Sequence, residues 1–202
     1  MSASPIADRA QQARIGPGAL VAVCGPSGAG KDSLLRRVQE RCNDKTRLVF
    51  PRRIVTRLES DFESHETATP EEFDRTSASG GFAFWWDAHG LKYGLAATID
   101  DDIRAGRCVV CNVSRTVIPR LRDKYSRVVA ILVTAPHEIL LARLAARARA
   151  TDGNLLQRMA RSTKISEDLD FDVVIENTGS IDDGARKLQT TIEARFTSTL
   201  QI

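Results

Sequence analysis

The chain has 202 residues, 42% of them hydrophobic, and a formal net charge of +3. This length suits one domain with a buried core, and we find no linker that would divide it. The mild net charge does not require a nucleic-acid partner. No segment is long and apolar enough to span a membrane. The sequence does not indicate an oligomeric state.

Residues 1–17 combine small and polar residues with scattered charges and lack the apolar run of a secretory signal. We therefore expect a disordered N-terminal extension, followed by a single domain at 18–202. The first strong signal in that domain is an apolar run, 19–24, typical of a buried strand. A glycine-rich segment follows it directly and precedes a helical pattern.

This segment fits the pattern G-x-x-x-x-G-K. Its glycines let the backbone curl around phosphate oxygens, the N–H groups of the loop and the next helix point at them, and the lysine supplies a mobile cation. The pattern predicts a loop that binds the phosphates of ATP. We assign this loop to Gly25, Pro26, Ser27, Gly28, Ala29, Gly30, Lys31, Asp32 and Ser33.

Asp32 stands where a serine or threonine usually follows the lysine of such a loop, and Ser33 lies one place later. Two interpretations of Asp32 stay open. Its carboxylate holds Mg²⁺ or a metal-bound water, or it is a favourable acidic residue in the first turn of the helix. Asp32 and Ser33 are thus the candidate metal ligands, beside phosphates and waters.

Short apolar runs alternate with helical segments along the rest of the chain. The strand-like runs are 47–50, 107–113, 127–133 and 171–175, and the helical segments are 98–105, 116–125, 136–149, 154–167 and 181–196. This alternation predicts an α/β fold in which helices flank both faces of a parallel sheet.

The segment at about 52–97 breaks the alternation and is predicted to be an insertion. Thr69-Pro70-Glu71-Glu72 is typical of a helix start, with proline at the first helical position and glutamate three residues after the cap. Two extended runs, 82–86 and 91–96, flank a turn around 87–90 and predict a small antiparallel unit.

The four cysteines stand at 24, 42, 108 and 111, mostly in strand-like runs. This is typical of reduced thiols and predicts a cytoplasmic protein. The spacing of Cys108 and Cys111 matches a redox or zinc pair, but both lie inside one strand without a second ligand pair. We predict that they pack in the core.

The order of these pieces, with Arg53-Ile54-Val55-Thr56-Arg57 after the first helix and Tyr93-Gly94 closing the insertion, resembles the guanylate kinase group of P-loop NTPases. The resemblance covers roughly residues 18–197. Within the group, Gly-Lys-Asp-Ser at 30–33 and the segments 89–94 and 112–115 resemble the ribose 1,5-bisphosphate phosphokinase family of phosphonate catabolism. That family uses ATP to convert ribose 1,5-bisphosphate into 5-phosphoribosyl 1-diphosphate (PRPP), and Mg²⁺ is expected with ATP.

The resemblance also implies an acceptor site for a small phosphorylated sugar rather than guanylate. Where guanylate kinases place a base-reading glutamate and threonine, this chain has Phe84 and Leu95. At a third position, where guanylate kinases have an acidic residue, this chain has Ser114. A pocket without those partners discriminates poorly for a purine. Arginine can instead hold phosphates through bidentate hydrogen bonds. The candidate acceptor residues are Arg53, Arg57, His65, Tyr93, Asn112, Ser114 and Arg115.

An arginine-rich stretch at about 143–161 resembles the lid of these kinases. Arg147 and Arg158 match its transition-state arginines and, with Lys31, form the candidate catalytic set. Arg143 and Arg161 fit solvated helix faces better. Asn177-Thr178-Gly179 matches part of the adenine pocket of relatives. Alternatives to the sugar bisphosphate kinase are a nucleoside monophosphate kinase and a non-catalytic guanylate-kinase-like interaction module.

Overall fold

The computed structural model describes residues 13–42, 46–57, 65–88, 90–148 and 171–197. Five of its strands form one sheet in which every pair is parallel. In spatial order these strands are β2 (Leu48–Val49), β7 (Cys108–Asn112), β1 (Ala19–Cys24), β8 (Val128–Thr134) and β9 (Val173–Glu176). The predicted parallel sheet is confirmed, and all six residues of its central strand are buried.

Helices cover both faces of this sheet, as predicted. Alternate residues of β1 point to opposite faces of the sheet and so belong to two separate core clusters. Val21 and Val23 belong to one core cluster, whereas Leu20 and Ala22 belong to the other. The first cluster packs against α1 (Lys31–Arg41), α5 (His137–Ala148) and α6 (Ile181–Thr197). The second packs against α3 (Thr98–Arg104) and α4 (Ile118–Lys124), the latter preceded by a 3-10 turn (Arg115–Val117).

A second sheet of four strands forms the insertion. In spatial order its strands are β4 (His65–Thr67), β3 (Arg53–Val55), β6 (Leu91–Ala96) and β5 (Phe82–Ala88). The hairpin of β5 and β6 is antiparallel, as predicted, but β3 and β4 pair in parallel. The parallel pair of β3 and β4 was not part of the sequence prediction. Apolar alternation indicates which residues face the core, but it carries no information on strand direction.

The helix predicted from Thr69-Pro70 is α2 (Pro70–Ala78), and it begins with a complete capping box. Thr69 Oγ1 accepts the Glu72 N–H at 3.2 Å, and Glu72 Oε2 accepts the Thr69 N–H at 2.8 Å. Hydrogen bonding of the Glu72 carboxylate by Thr69, first of all by its backbone N–H, also holds the pKa of Glu72 below its ordinary value. Phe73 then faces inward and its ring lies 4.5 Å from the ring of Phe82, so α2 is packed onto β5.

The described part of the N-terminal segment is ordered against the domain, contrary to the extension expected over residues 1–17. Ile15 pairs with Tyr125 in an isolated parallel bridge and donates its N–H to the Lys124 carbonyl at 2.9 Å. Ile15 also packs against the core, which gives this segment an apolar anchor. Residues 1–12 lie outside the described part of the chain, as do residues 149–161 of the expected lid and the helix predicted over 154–167.

Within the described ranges, no helix combines the length and the apolar character that crossing a membrane requires. The prediction that Cys108 and Cys111 pack in the core is confirmed, since both lie in β7 and are at most 2% exposed. Burial raises the pKa of the Cys24 and Cys108 thiols to about 12 and also raises that of Cys111. These three thiols therefore stay protonated at neutral pH.

Because the thiolate is the reactive form, we expect the native protein at pH 8 to react with a thiol reagent at Cys42 only, which is partly exposed. Cys24, Cys108 and Cys111 should react only after denaturation. Counting labelled thiols by mass spectrometry before and after adding denaturant checks this, and the Cys42→Ser variant should lose the fast phase. A second thiol labelled quickly in the native protein would contradict the buried placement.

Candidate active site

A cavity of about 870 Å³ opens at the carboxyl edge of the parallel sheet. Its walls come from the loop after β1, from the residues around the end of β7, from the insertion sheet and from α5. Ligands of open α/β sheets bind outside the carboxyl ends of the strands, because loops and helix N-termini gather there. We call this cavity the cleft.

The predicted phosphate loop lies between β1 and α1 and forms one wall of the cleft. Gly28 and Gly30 have φ angles of +85° and +87°, which only glycine adopts easily. Lys31 Nζ donates to the carbonyls of Gly25 and Pro26 at 2.8 and 2.9 Å, so its ammonium lies over the loop. All predicted loop residues except Ala29, which is fully buried, line the cleft.

The N-terminus of α1 keeps its first-turn N–H groups in reach of an anion. Gly30 is the cap residue and offers no side-chain acceptor to them. A Cβ at Gly30 would lie 2.8 Å from Asn177 Nδ2, so the close approach of Asn177 to this loop depends on glycine. Asn177 also donates to the Ala29 carbonyl at 2.8 Å and thereby supports the loop from behind. Such a loop is suited to bind phosphate.

Asp32 makes two side-chain contacts that neither of its two interpretations included. It lies in the first turn of α1, and its Oδ1 accepts hydrogen bonds from Arg53 Nη2 at 3.1 Å and from Asn112 Nδ2 at 2.9 Å. The phosphate loop is therefore tied to the beginning of β3 and to the end of β7. Ser33, the other candidate metal ligand, lines the cleft beside it.

An aromatic column lies on the insertion side of the cleft. The rings of Phe84 and Trp86 stack at 5.8 Å, those of Trp86 and Tyr93 at 5.5 Å, and the Arg53 guanidinium lies 5.9 Å from the Tyr93 centroid. Trp86 and Tyr93 line the cleft, although 7% or less of each is exposed. Leu95 is fully buried, so the two apolar residues at the expected base-reading positions belong to the core.

Six of the seven candidate acceptor residues lie along the cleft. One of them, Ser114, also caps the 3-10 turn by accepting the Thr116 N–H. His65 is the exception. Its side chain is fully buried and does not line the cleft, and its Nε2 lies 3.4 Å from the carbonyl of Arg57, which does. The six residues are Arg53, Arg57, Tyr93, Asn112, Ser114 and Arg115.

The α5 side of the cleft contains an arginine that the sequence analysis interpreted as solvated. Arg143 lines the cleft, and no hydrogen-bond partner among the described residues reaches its buried Nη1. An unpaired guanidinium N–H is costly to bury, so this atom points to an anionic or polar ligand. Arg147 follows one turn later in α5, but its side chain and all of Arg158 lie outside the described part of the structure.

The sequence analysis identified neither Arg143 nor Trp86 as a cleft residue. The helical spacing of 143 and 147 was the one available signal, because residues four apart share a helix face. For Trp86 no local pattern separates a core ring from one that also borders a cavity.

The described residues contain no group of three or more histidine, cysteine, aspartate or glutamate side chains arranged to hold a metal ion. The chemistry of the donor set instead suits a nucleotide-bound magnesium. Mg²⁺ usually keeps several waters and takes one or two protein oxygens beside substrate phosphates. Asp32 and Ser33, next to Lys31, are the oxygen-bearing side chains in that location.

The family model described as guanylate kinase matches residues 18–195. A solved structure, the guanylate kinase from Anaplasma phagocytophilum, superposes with a TM-score of 0.66 at 19% identity and covers 92% of this chain and 89% of its own, which shows the shared fold.

Curated relatives are much more similar in sequence. The ribose 1,5-bisphosphate phosphokinase of Bradyrhizobium diazoefficiens is 53% identical over 86% of this chain and 87% of its own. Those of Rhodopseudomonas palustris and Pseudofrankia inefficax are 52% and 43% identical, over 82% and 87% of this chain and 83% and 90% of their own. The chain belongs to the guanylate kinase family, in the group of its ribose 1,5-bisphosphate phosphokinase relatives.

Proposed function

We propose that this chain transfers the γ-phosphoryl group of ATP to ribose 1,5-bisphosphate and so makes PRPP for phosphonate degradation. An oxygen of the acceptor's 1-phosphate attacks the γ-phosphorus, the bond to the β,γ-bridging oxygen breaks, and ADP leaves. One observation carries the assignment beyond the names of the relatives. A phosphate loop and an arginine-rich acceptor wall face one cleft, while Phe84 and Leu95 are buried in the core.

The acceptor explains why the cleft needs no general base. A phosphate monoester oxygen is already anionic at neutral pH, so the reaction depends on positioning two anions and neutralising their charge. Lys31 and the first turn of α1 would bind the donor phosphates, and Arg53, Arg57 and Arg115, which line the same cleft, would bind those of the acceptor. Guanidinium groups suit this task because they bind phosphate oxygens in pairs.

ATP and Mg²⁺ fit the donor side of the cleft. The loop N–H groups and Lys31 would hold the β- and γ-phosphates, and Arg143 offers a further cation. Of the two candidate ligands beside Lys31, Ser33 would hold the magnesium or its waters, because Asp32 Oδ1 already accepts hydrogen bonds from Arg53 and Asn112. When bound, the metal supplies charge neutralisation on the phosphate oxygens. A cytoplasmic location agrees with the supply of ATP there and with the buried thiols of Cys24, Cys108 and Cys111.

A nucleoside monophosphate kinase is the second candidate, because the fold is that of guanylate kinase. Phe84 and Leu95 argue against it, since neither side chain can hydrogen-bond a purine edge. A non-catalytic interaction module is disfavoured by Lys31, whose ammonium lies over the intact phosphate loop.

We expect ATP consumption with ribose 1,5-bisphosphate to exceed that with AMP, GMP, CMP or UMP by at least about 100-fold in kcat/KM, the discrimination that unpaired polar groups impose on a wrong substrate. A coupled ADP assay, with PRPP identified by mass spectrometry, measures this. Turnover of GMP at a comparable rate would favour the nucleotide kinase, and no turnover of any acceptor would favour the interaction module.

We expect Lys31→Ala to fold normally and to lose phosphoryl transfer by at least about 100-fold, because the side chain contacts the loop rather than the core and its charge is used on the transferring phosphates. Steady-state kinetics and a melting curve test both parts. Lys187→Ala, which removes an equal charge from the exposed surface of α6, is the matched control. Near-normal turnover of Lys31→Ala would contradict the kinase assignment.

We expect Arg147→Ala to lower kcat much more than it weakens ATP binding, as for a contact made mainly in the transition state. The resemblance to the lid of these kinases motivates this prediction. Turnover and equilibrium binding of ATP should be measured on the same protein. A change confined to the KM for ATP would make Arg147 a ground-state binder.

A further inference from the structure

One carboxylate oxygen joins the phosphate loop to the acceptor side of the cleft. Asp32 Oδ1 accepts from Arg53 at 3.1 Å and from Asn112 at 2.9 Å. Arg53 begins β3, Asn112 ends β7, and Asp32 lies in the first turn of α1. Three elements that are distant in sequence therefore meet at the residue directly after Lys31.

The Arg53 guanidinium is held from two directions. Asp32 fixes one amino group, and the ring of Tyr93, itself stacked on Trp86, lies 5.9 Å from the guanidinium carbon. The Arg53 side chain is only 11% exposed. A guanidinium has five N–H donors in a rigid plane, so a carboxylate on one edge sets the direction in which the others point. Arg53 thus lines the cleft in an orientation set by its neighbours.

The charge of this pair shows what kind of contribution Asp32 makes. A carboxylate beside a polyphosphate site repels the substrate unless a cation neutralises it. Arg53 neutralises Asp32, whose side chain is 31% exposed, so the pair adds little net charge to the cleft. Its contribution is therefore geometric, because it fixes the distance and angle between the phosphate loop and an arginine of the acceptor wall.

We propose that Asp32 is a positioning residue that acts through Arg53 to align the acceptor phosphate with the phosphoryl group held in the phosphate loop. This rests on the proposed function, since alignment matters only where two phosphate-bearing substrates share the cleft. It gives Asp32 a role that neither a magnesium ligand nor a helix-end charge would have. Misplacing reacting groups by about 1 Å can cost about 100-fold in rate.

A double-mutant cycle tests the proposal. Asp32→Asn, Arg53→Ala and the double variant are compared with the unaltered protein for kcat and KM with ribose 1,5-bisphosphate and for KM with ATP. We expect Asp32→Asn to lower kcat/KM for the acceptor by roughly 10- to 100-fold, with the KM for ATP changed less than about twofold. In the Arg53→Ala background, Asp32→Asn should change kcat/KM by less than about twofold, because the arginine through which Asp32 acts is absent.

Two results would overturn the proposal. A loss as large in the Arg53→Ala background as in the native one would show that Asp32 acts without Arg53. A higher magnesium concentration for half-maximal binding of a non-hydrolysable ATP analogue in Asp32→Asn would assign the carboxylate to the metal. Asp182→Asn is the matched control, because Asp182 also lies in the first turn of a helix and pairs with two arginines, Arg37 and Arg41. Its kinetics should stay unchanged.

The same cycle is measured on binding of inorganic phosphate to protein saturated with the non-hydrolysable ATP analogue, which separates this proposal from the proposed function. Phosphate reports on Arg53 whichever acceptor the enzyme uses. Non-additive phosphate affinities without turnover of ribose 1,5-bisphosphate would support the positioning role and contradict the substrate. Additive affinities, with or without turnover, would overturn the positioning role.

Discussion

The cleft depends on the central position of β1 in the parallel sheet. Its neighbours β7 and β8 run in the same direction, so the three strands end at one edge. Asn112 ends β7, and Gly25 and Ala135 directly follow β1 and β8, so the three residues lie on the same side of the molecule. A loop, rather than a helix, directly follows β1 and β7 there. Full burial of β1 makes this register expensive to change, because a shift by one residue would exchange the side chains of its two faces.

The insertion sheet contributes the second wall, and it joins the rest of the domain through a shared apolar core and through a polar contact at the cleft. The ion pair of Arg53 with Asp32 joins β3 of the insertion to the first turn of α1, and the aromatic column of Phe84, Trp86 and Tyr93 packs behind it. A polar junction supported by a stiff apolar element can keep two anion sites at a fixed separation. This is the requirement of a reaction in which the protein mainly positions phosphates.

Features encoded by neighbouring residues could be predicted from the sequence. The phosphate loop needs glycines and a lysine in fixed order between a strand and a helix, and the capping box of Thr69 and Glu72 is complete within four residues. Features that depend on distant contacts could not be predicted. The parallel pairing of β3 with β4, the burial of His65 and the entry of Arg143 into the cleft all follow from packing between separate elements.

Asp32 shows why a local departure from a pattern needs the distant contact to be understood. From the sequence alone, the residue after Lys31 was assigned either to the metal or to the helix terminus, because both are the nearest available partners. The structure provides a third partner, Arg53, twenty-one positions away. The negative charge after Lys31 is tolerable beside a triphosphate because Arg53 compensates it, and Arg53 is tolerable at 11% exposure because Asp32 pairs with it. A serine at position 32 would leave Arg53 without that counter-charge, so Asp32 in the loop and Arg53 in β3 are physically one feature.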